Sequence, residues 1–244
     1  MTASASIDRG FDWMSWLQVP VADGWYDLTR VLDADVERVV GFPAPEIRLV
    51  RRIADGERAN VTELRMVCHV GTHVDAPRHF LEAGPGADEL PLGRLTGPGV
   101  AWRLRPEPMG TITVADLRAA RPCVRPGDAV LLHTGWAERW GTPAYARNPS
   151  LALDAAQWLV DAGVRLLAVD FATPDLAHEA REDGFDWPVH RVLLGQGVLI
   201  CEHVAAVADL DGRRVETIFA GLPIRSADGA PARVLARPLA EDAE

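Results

Sequence analysis

The apolar residues of the 244-residue chain recur mostly in short runs of strand length. In the segment VTELRMVCHV, residues 61–70, apolar and polar positions alternate, which is typical of a strand with one apolar face. Glu63, Arg65 and His69 lie on its more polar face. Four further apolar runs have the length of strands. They cover residues 99–104, 128–134, 164–170 and 196–204. The pattern predicts a chain rich in short strands.

Two segments carry the signals of helices. Thr113 suits the N-cap of a helix that has Asp116 in its first turn and ends before Pro122. A second helix is predicted over residues 154–162, ending at Gly163, since glycine readily adopts the left-handed C-cap conformation. Together with the strands, these helices predict a mixed, strand-rich α/β fold in one domain.

Both ends of the chain differ in composition from the middle. Residues 1–24 form an aromatic arm with apolar residues at helical spacing, which predicts a short helix docked on the body or on a partner subunit. A monomer seldom exposes so many aromatic side chains, so a homo-oligomer, a dimer or larger, is expected. The alternative is that the arm covers the core of its own subunit. Residues 225–244, rich in Ala, Pro, Asp and Glu, are predicted to be a surface tail, leaving residues 25–224 as the central domain.

Charge and cysteine usage narrow the choice of partner and compartment. The formal net charge of −10 argues against nucleic acid and anionic membranes as partners. No apolar run reaches the roughly 18 residues of a membrane span, and the first residues lack the features of a secretory signal. The three cysteines have neither zinc-ribbon nor disulfide-framework spacing. We therefore expect a cytoplasmic protein that acts on a small molecule.

Residues 69–80, HVGTHVDAPRHF, concentrate three of the seven histidines and one aspartate. Alternate residues of a strand share a face, so His69, His73 and Asp75 would converge in an extended segment. Gly71 and Pro77 disfavour a helix here. Two imidazoles with one carboxylate are a common catalytic metal set that leaves positions open for water and substrate. The alternative is a surface loop with a capping aspartate.

A second group of candidate ligands lies far along the chain. His190 closely follows Pro188, and Glu202 lies within an apolar run. A carboxylate buried there is costly without a cation or hydrogen-bond donors. A metal ion would meet that need, and so would an arginine such as Arg65 or Arg191.

The segment from His69 to His79 resembles the H-x-G-T-H-x-D-x-P-x-H signature of the cyclase family of metal-dependent hydrolases, whose members include bacterial kynurenine formamidase and isatin hydrolase. The resemblance extends to YDLTRVL near the N-terminus, to LLAVDFATPD, and to the spacing of His190 and Glu202, twelve residues apart. It covers about residues 25–224. This resemblance implies a swivelling β/β/α fold and hydrolysis by metal-activated water.

The resemblance also implies a set of ligands. His69, His73 and Asp75 would bind one divalent ion, and Asp75, His190 and Glu202 would serve a second ion where two are present. The family uses zinc or manganese, and a mixed set of imidazoles and carboxylates suits either metal.

The resemblance further assigns a proton donor and acceptor and a substrate contact. His79 would take a proton from water and return it to a poor amide leaving group, a common role of imidazole in enzymes. The alternative for His79 is to orient a metal ligand. Phe42 matches an aromatic residue that contacts the substrate in formamidases, but Ala44-Pro45 replace their Gly-Asp, which weakens the case for N-formylkynurenine. Trp187 is a further candidate for lining the pocket.

Three functions follow from these observations. The first is an amide or lactam hydrolase, similar to an arylformamidase or to isatin hydrolase. The second is a biosynthetic cyclase or dehydratase that uses the same metal site. The third is a non-catalytic metal-binding protein. Because every ligand and His79 are present, the sequence favours a metal-dependent enzyme that hydrolyses a C–N bond.

Overall fold

The computed structural model describes residues 12, 14–15, 24–39, 41–205 and 207–239. Nearly all of the predicted aromatic arm, residues 1–24, therefore lies outside the described residues. None of the helices in the described ranges is long and apolar enough to cross a membrane.

Strands dominate the described part of the chain. The strands are β1 (Tyr26–Asp27), β2 (Glu46–Arg51), β3 (Val61–Arg65), β4 (His73–Asp75), β5 (Thr96–Arg103), β6 (Thr111–Ile112), β7 (Ala129–His133), β8 (Ser150–Leu151), β9 (Leu166–Val169), β10 (Leu199–Glu202), β11 (Arg213–Gly221) and β12 (Gly229–Pro238). The α-helices after residue 24 are α1 (Leu92–Leu95), α2 (Val114–Ala119), α3 (Leu153–Asp161) and α4 (Pro188–Gly195).

Eight of these strands form one sheet, in the order β1-β12-β11-β5-β7-β9-β10-β4. The central strands β5, β7, β9 and β10 run parallel to one another. Antiparallel pairings attach β11 to β5, β12 to β11 and β4 to β10. Because β12 also pairs with β4, the sheet closes into a barrel. The prediction of a mixed, strand-rich α/β domain is confirmed.

The four predicted apolar runs form the parallel strands of the barrel, and these strands are buried on both faces. One face, which includes Val100 and Leu132, packs against helices α3 and α4. The other face, which includes Ala101 and Leu131, packs inside the barrel together with Val234 of β12. The nearly continuous apolar pattern follows from this double burial.

Both predicted helices are confirmed. Helix α2 begins after Thr113, whose side chain accepts the N–H of Asp116, while the Asp116 carboxylate accepts the Thr113 N–H at 2.8 Å. Helix α3 ends at Asp161, and Gly163 follows with a left-handed φ of 74°. The sequence pattern did not predict α4, where Pro188 occupies the first turn and its missing N–H is harmless.

The strand predicted over residues 61–70 is shorter than expected. Only β3 forms there, and it pairs with β2 as an exposed hairpin. The chain then bends, with a left-handed φ of 62° at Gly71. His69 therefore reaches its neighbours from a bend rather than from a strand, and the predicted alternation holds only within β4.

The structure corrects the surface tail predicted for residues 225–244. Most of the described part of this segment is β12, which pairs with β1, β4 and β11. Alternate residues of β12 are buried: Ala230, Ala232, Val234 and Ala236. Three of these four side chains are single methyl groups, so the alternation of apolar and polar positions is weak in the sequence.

Candidate metal centre and substrate pocket

The five predicted metal ligands come together beside β4. His73 and Asp75 are alternate residues of this strand, so their side chains share a face. Strand β10 pairs with β4 and places Glu202 directly opposite His73. His190 comes from α4 and His69 from the bend before β4. All five side chains are buried, and the structure thus gathers residues from three separate segments.

Imidazole nitrogens and carboxylate oxygens of these residues surround one small space. The Nε2 atom of His73 lies 3.3 Å from Asp75 Oδ1 and 3.4 Å from Glu202 Oε2. The Nε2 atom of His190 lies 3.5 Å from Asp75 Oδ2 and 3.4 Å from Glu202 Oε1. The Nδ1 atom of His69 lies 2.7 Å from Asp75 Oδ1. Each carboxylate therefore faces more than one imidazole.

Three of the inward-facing atoms are buried without a hydrogen-bond partner among the described residues. They are His73 Nε2, Asp75 Oδ2 and Glu202 Oε1. A buried polar group left unsatisfied costs about 1–3 kcal/mol. One divalent cation bonded to these atoms would satisfy nitrogen and oxygen donors together, as metal sites in proteins do. The residues present fit a metal ion.

On the outer side, each of the three imidazoles is hydrogen-bonded to an oxygen. The partners are the Gly71 carbonyl for His73 Nδ1 (2.8 Å), Asp175 Oδ2 for His190 Nδ1 (2.6 Å) and Asp228 Oδ2 for His69 Nε2 (2.8 Å). An N–H donated outward fixes the tautomer that presents a lone pair inward. Metal-ligating histidines in proteins almost always have this arrangement.

The carboxylates make this space favourable for positive charge. Burial acts to lower the pKa of His69, but hydrogen bonds to Asp228 and Asp75 raise it to about 10. Burial opposes the charge of His190 as well, yet Asp175 and Asp75 raise its pKa well above the usual value. Burial acts to raise the pKa of Asp75, but the surrounding histidines hold it well below its ordinary value. The cluster therefore attracts cations.

His79 borders the cluster of ligands. It ends the short 3-10 turn Pro77–His79 after β4, and its side chain is one quarter exposed. Its ring stacks on His69 with centroids 3.9 Å apart, and its Nδ1 lies 3.3 Å from Asp228 Oδ2. Since His79 also lines the pocket described next, one imidazole lies between the candidate ligands and the space for a substrate.

A pocket of about 280 Å³ opens onto the cluster. Both predicted substrate residues, Phe42 and Trp187, line it together with Phe80. The Trp187 ring lies 5.6 Å from that of His190 and 6.2 Å from that of Phe80. The volume is at the small end of the range for small-molecule sites. Aromatic walls and this size suit a flat substrate of one or two rings.

Sequence reasoning missed Asp175 and Asp228. Asp175 lies in the loop after β9, and Asp228 precedes β12 in the segment predicted as a tail. Each resembles an ordinary acidic residue of a turn. The one available signal was the position of Asp175 shortly after a buried apolar strand, in the segment LLAVDFATPD that carries the family resemblance.

His203 follows Glu202 directly, and on a continuous strand its side chain would point to the opposite face. Strand β10 ends at Glu202, and His203 has a left-handed φ of 59°. Its Nδ1 lies 2.7 Å from the Tyr145 hydroxyl and its ring centroid 5.9 Å from that of His73. The bend at the strand end brings His203 into the pocket wall.

The arginines considered as alternative partners for Glu202 lie elsewhere. Arg65 is exposed, and its Nη1 lies 3.4 Å from Glu46 Oε1. Arg191 Nε donates to the Asp186 carbonyl at 2.7 Å. Neither of these two arginines pairs with Glu202, whose carboxylate oxygens lie 3.4 Å from His73 Nε2 and from His190 Nε2.

Comparisons with known proteins give the family and the fold of the chain. The family model described as "Putative cyclase" matches residues 26–176. The chain is 31% identical over 201 residues to a kynurenine formamidase of Salinibacter ruber, and the match covers 77% of this chain and 84% of that protein.

Two solved structures are similar as well. Isatin hydrolase A from Labrenzia aggregata, bound to benzyl benzoate, has a TM-score of 0.77 at 23% identity, covering 87% of this chain and 92% of that one.

The second solved structure is described as a potential metal-dependent hydrolase with cyclase activity. It has a TM-score of 0.72 at 27% identity and covers 88% of this chain and 98% of that one. At 23% identity, the similarity to isatin hydrolase shows a shared fold. The family model and the formamidase relative show membership of the same protein family. The chain therefore belongs to the cyclase family of metal-dependent hydrolases.

Proposed function

We propose that the protein hydrolyses an amide C–N bond of a small aromatic substrate, an aryl formamide or a cyclic amide, with a divalent metal ion. The single observation that carries this proposal is the set of unpartnered buried atoms on His73, Asp75 and Glu202, which face one space. The formamidase relative and the aromatic pocket support the choice of substrate.

We assign the metal to His69, His73, Asp75, His190 and Glu202. Asp75 Oδ1 faces two imidazoles and Oδ2 faces a third, while the two oxygens of Glu202 face different histidines. Carboxylates that each face more than one imidazole could hold one ion or two. Three imidazoles and two carboxylates suit zinc or manganese.

When bound, the ion lowers the pKa of water and polarises a substrate carbonyl. The residues of the chain have the remaining tasks. We assign proton transfer to His79, which lies against His69 at the pocket side: it would take a proton from water and return it to the leaving nitrogen. Asp228, within 3.3 Å of His79 Nδ1, orients that imidazole. An amide nitrogen leaves poorly unless it is protonated, so this transfer is essential for an amide.

The pocket walls favour a ring on the substrate. Phe42, Phe80 and Trp187 present aromatic surface within the same cavity. We assign Phe42 and Trp187 to substrate binding. The small cavity favours compact aryl formamides and lactams over extended substrates.

We propose that the working form is a cytoplasmic homo-oligomer. The aromatic arm of residues 1–24 supports the oligomer. The three cysteines lack the spacing of a disulfide framework, which supports the cytoplasm. The cysteines Cys68, Cys123 and Cys201 are unpaired, as expected for a reducing compartment.

Elemental analysis and turnover of formanilide and isatin test the proposal. We expect stoichiometric zinc or manganese in the purified protein, and hydrolysis that chelators abolish and added metal restores. His73→Ala should lose both metal and activity. His178→Ala is the matched control, since His178 is exposed at the same pocket but is no ligand. Wild-type protein that holds no divalent metal, or metal content unaffected by His73→Ala, would refute the proposal.

A further inference from the structure

Arg181 lines the same pocket and has no part in the hydrolytic chemistry described above. Its guanidinium lies over the Trp187 ring at 3.7 Å, and its Nε donates to the Leu176 carbonyl at 2.8 Å. Trp187 in turn contacts His190 with ring centroids 5.6 Å apart. A single indole ring thus separates the arginine from a proposed metal ligand.

The stacking leaves the hydrogen-bonding edge of Arg181 available. A guanidinium stacked on an aromatic face keeps its N–H groups in its own plane, where they can bind a carboxylate in bidentate fashion. Among the described residues, only Nε of Arg181 makes a hydrogen bond or ion pair. The two terminal nitrogens therefore remain free donors at a half-buried position in the pocket.

The second arginine of the pocket, Arg38, is less suited to bind a ligand. It is exposed, and two of its three guanidinium nitrogens donate within its own turn. Nε donates to the Phe42 carbonyl at 3.2 Å and Nη1 to the Val36 carbonyl at 3.3 Å. Its contacts hold the Phe42 segment in place.

The charges of the site explain why a cationic group is needed near the substrate. Four carboxylates surround the candidate metal centre: Asp75, Asp175, Glu202 and Asp228. With one divalent ion bound, two of these charges are offset, and the whole chain carries a formal net charge of −10. An acidic substrate would be repelled by this centre unless a fixed cation lay beside it. Arg181 is close enough to the centre to interact electrostatically with both Asp175 and Glu202.

We propose that Arg181 forms a carboxylate subsite, and that the preferred substrate carries an acidic group about one aromatic ring away from the scissile amide. This inference rests on the proposed amide hydrolysis and names its substrate class. The substrate ring would lie among Phe42, Phe80 and Trp187, with its carboxylate on the terminal nitrogens of Arg181.

The test compares formanilide with the ortho, meta and para isomers of formamidobenzoate and with their methyl esters. The wild-type metal-loaded protein should prefer at least one acid isomer over its ester. Arg181→Met should lower the ratio of kcat/KM for that acid to kcat/KM for formanilide by about tenfold or more, mainly through KM, because a charge-assisted contact is lost. Arg181→Lys should restore part of this ratio.

Arg191→Met is the matched control. Arg191 lies over the Phe80 ring at 5.6 Å but is exposed and does not line the pocket, so its removal should leave the ratio as in wild type. An unchanged ratio in Arg181→Met, or equal losses for acid and neutral substrates, would overturn the subsite and leave Arg181 a support for Trp187. Should wild-type protein hydrolyse none of these compounds, the proposed function fails. Calorimetric titration with the same acid and ester pairs then decides the subsite separately.

Discussion

The carboxylate of Asp175 holds His190 from the side opposite the candidate metal centre, with Oδ2 2.6 Å from Nδ1. The same carboxylate accepts the backbone N–H groups of Val189 and His190, each at 3.0 Å, at the start of α4. One side chain therefore accepts hydrogen bonds from two backbone N–H groups in the first turn of α4 and also orients the imidazole of His190. The direction in which His190 presents its Nε2 atom depends on a residue fifteen positions earlier in the chain.

Asp175→Asn should weaken metal binding while the protein stays folded. The amide keeps the size of the carboxylate but loses the charge that orients the imidazole of His190. Loss of such a partner typically costs 10–100-fold in metal affinity. Competition with a chromophoric chelator measures this change. Asp211→Asn is the control, because Asp211 pairs with His133, a histidine outside the site. Equal affinities in the Asp175 variant and the wild type would contradict the role of Asp175.

His79→Ala should retain the metal and lose about 100-fold or more in kcat on an amide, the usual scale for a general acid or base. The loss should be smaller for an aryl ester with a good leaving group, since that group departs without a proton. Metal analysis and parallel kinetics on formanilide and p-nitrophenyl acetate make the comparison. Full activity of the variant on the amide would exclude proton transfer by His79.

Asp116→Ala should destabilise the protein by about 1 kcal/mol at neutral pH, because it removes half of the reciprocal cap on α2. Hydrogen bonds from the side chain and the backbone of Thr113 lower the pKa of Asp116. A depressed pKa in the folded state means that the stabilisation is present above the ordinary value near 3.8 and is lost as the pH falls through the folded value. Urea denaturation should therefore give a difference between variant and wild type that shrinks from pH 7 to pH 3. A difference independent of pH would contradict this account.

Deletion of residues 2–18 should give a smaller particle in light scattering and a higher KM, with the metal retained. The aromatic arm is predicted to pack across a subunit interface near the pocket, and residues 11–26 carry three tryptophans. Replacement of the deleted segment by a Gly-Ser linker of equal length controls for chain length. An unchanged number of subunits per particle, together with unchanged kinetics, would exclude the role of the arm in the interface.

The site was predictable from the sequence where the ligands are close together or lie in a recognisable pattern. His73 and Asp75 share one face of a strand, and Glu202 is an acid within an apolar run, so each left a local signal. Asp228 left none that distinguishes it from an acid in a turn, and Asp175 left only its position after an apolar run. Their roles depend on pairings and loops that bring distant segments together, which no local pattern records.

The fold was predictable to the same extent. The strands buried on both faces are visible in the sequence as apolar runs, and the two predicted helices are visible from their capping residues. Strand β12 was missed because its buried positions are mostly alanines, whose hydrophobic contrast with polar neighbours is weak. The apolar run over residues 196–204 extends past the observed strand, because the left-handed φ of His203 ends that strand at Glu202.

The closure of the barrel has a consequence for how the protein is made. Strand β4 carries two candidate ligands, yet one of its two neighbours, β12, is separated from it by more than 150 residues of chain. Pairings of such long sequence separation form slowly and late in folding. During synthesis, the nascent chain exposes His73 and Asp75 long before residues 229–238 have left the ribosome. The candidate ligands His190 and Glu202 also lie more than 100 residues after β4, so the cluster cannot assemble around the nascent β4 segment alone.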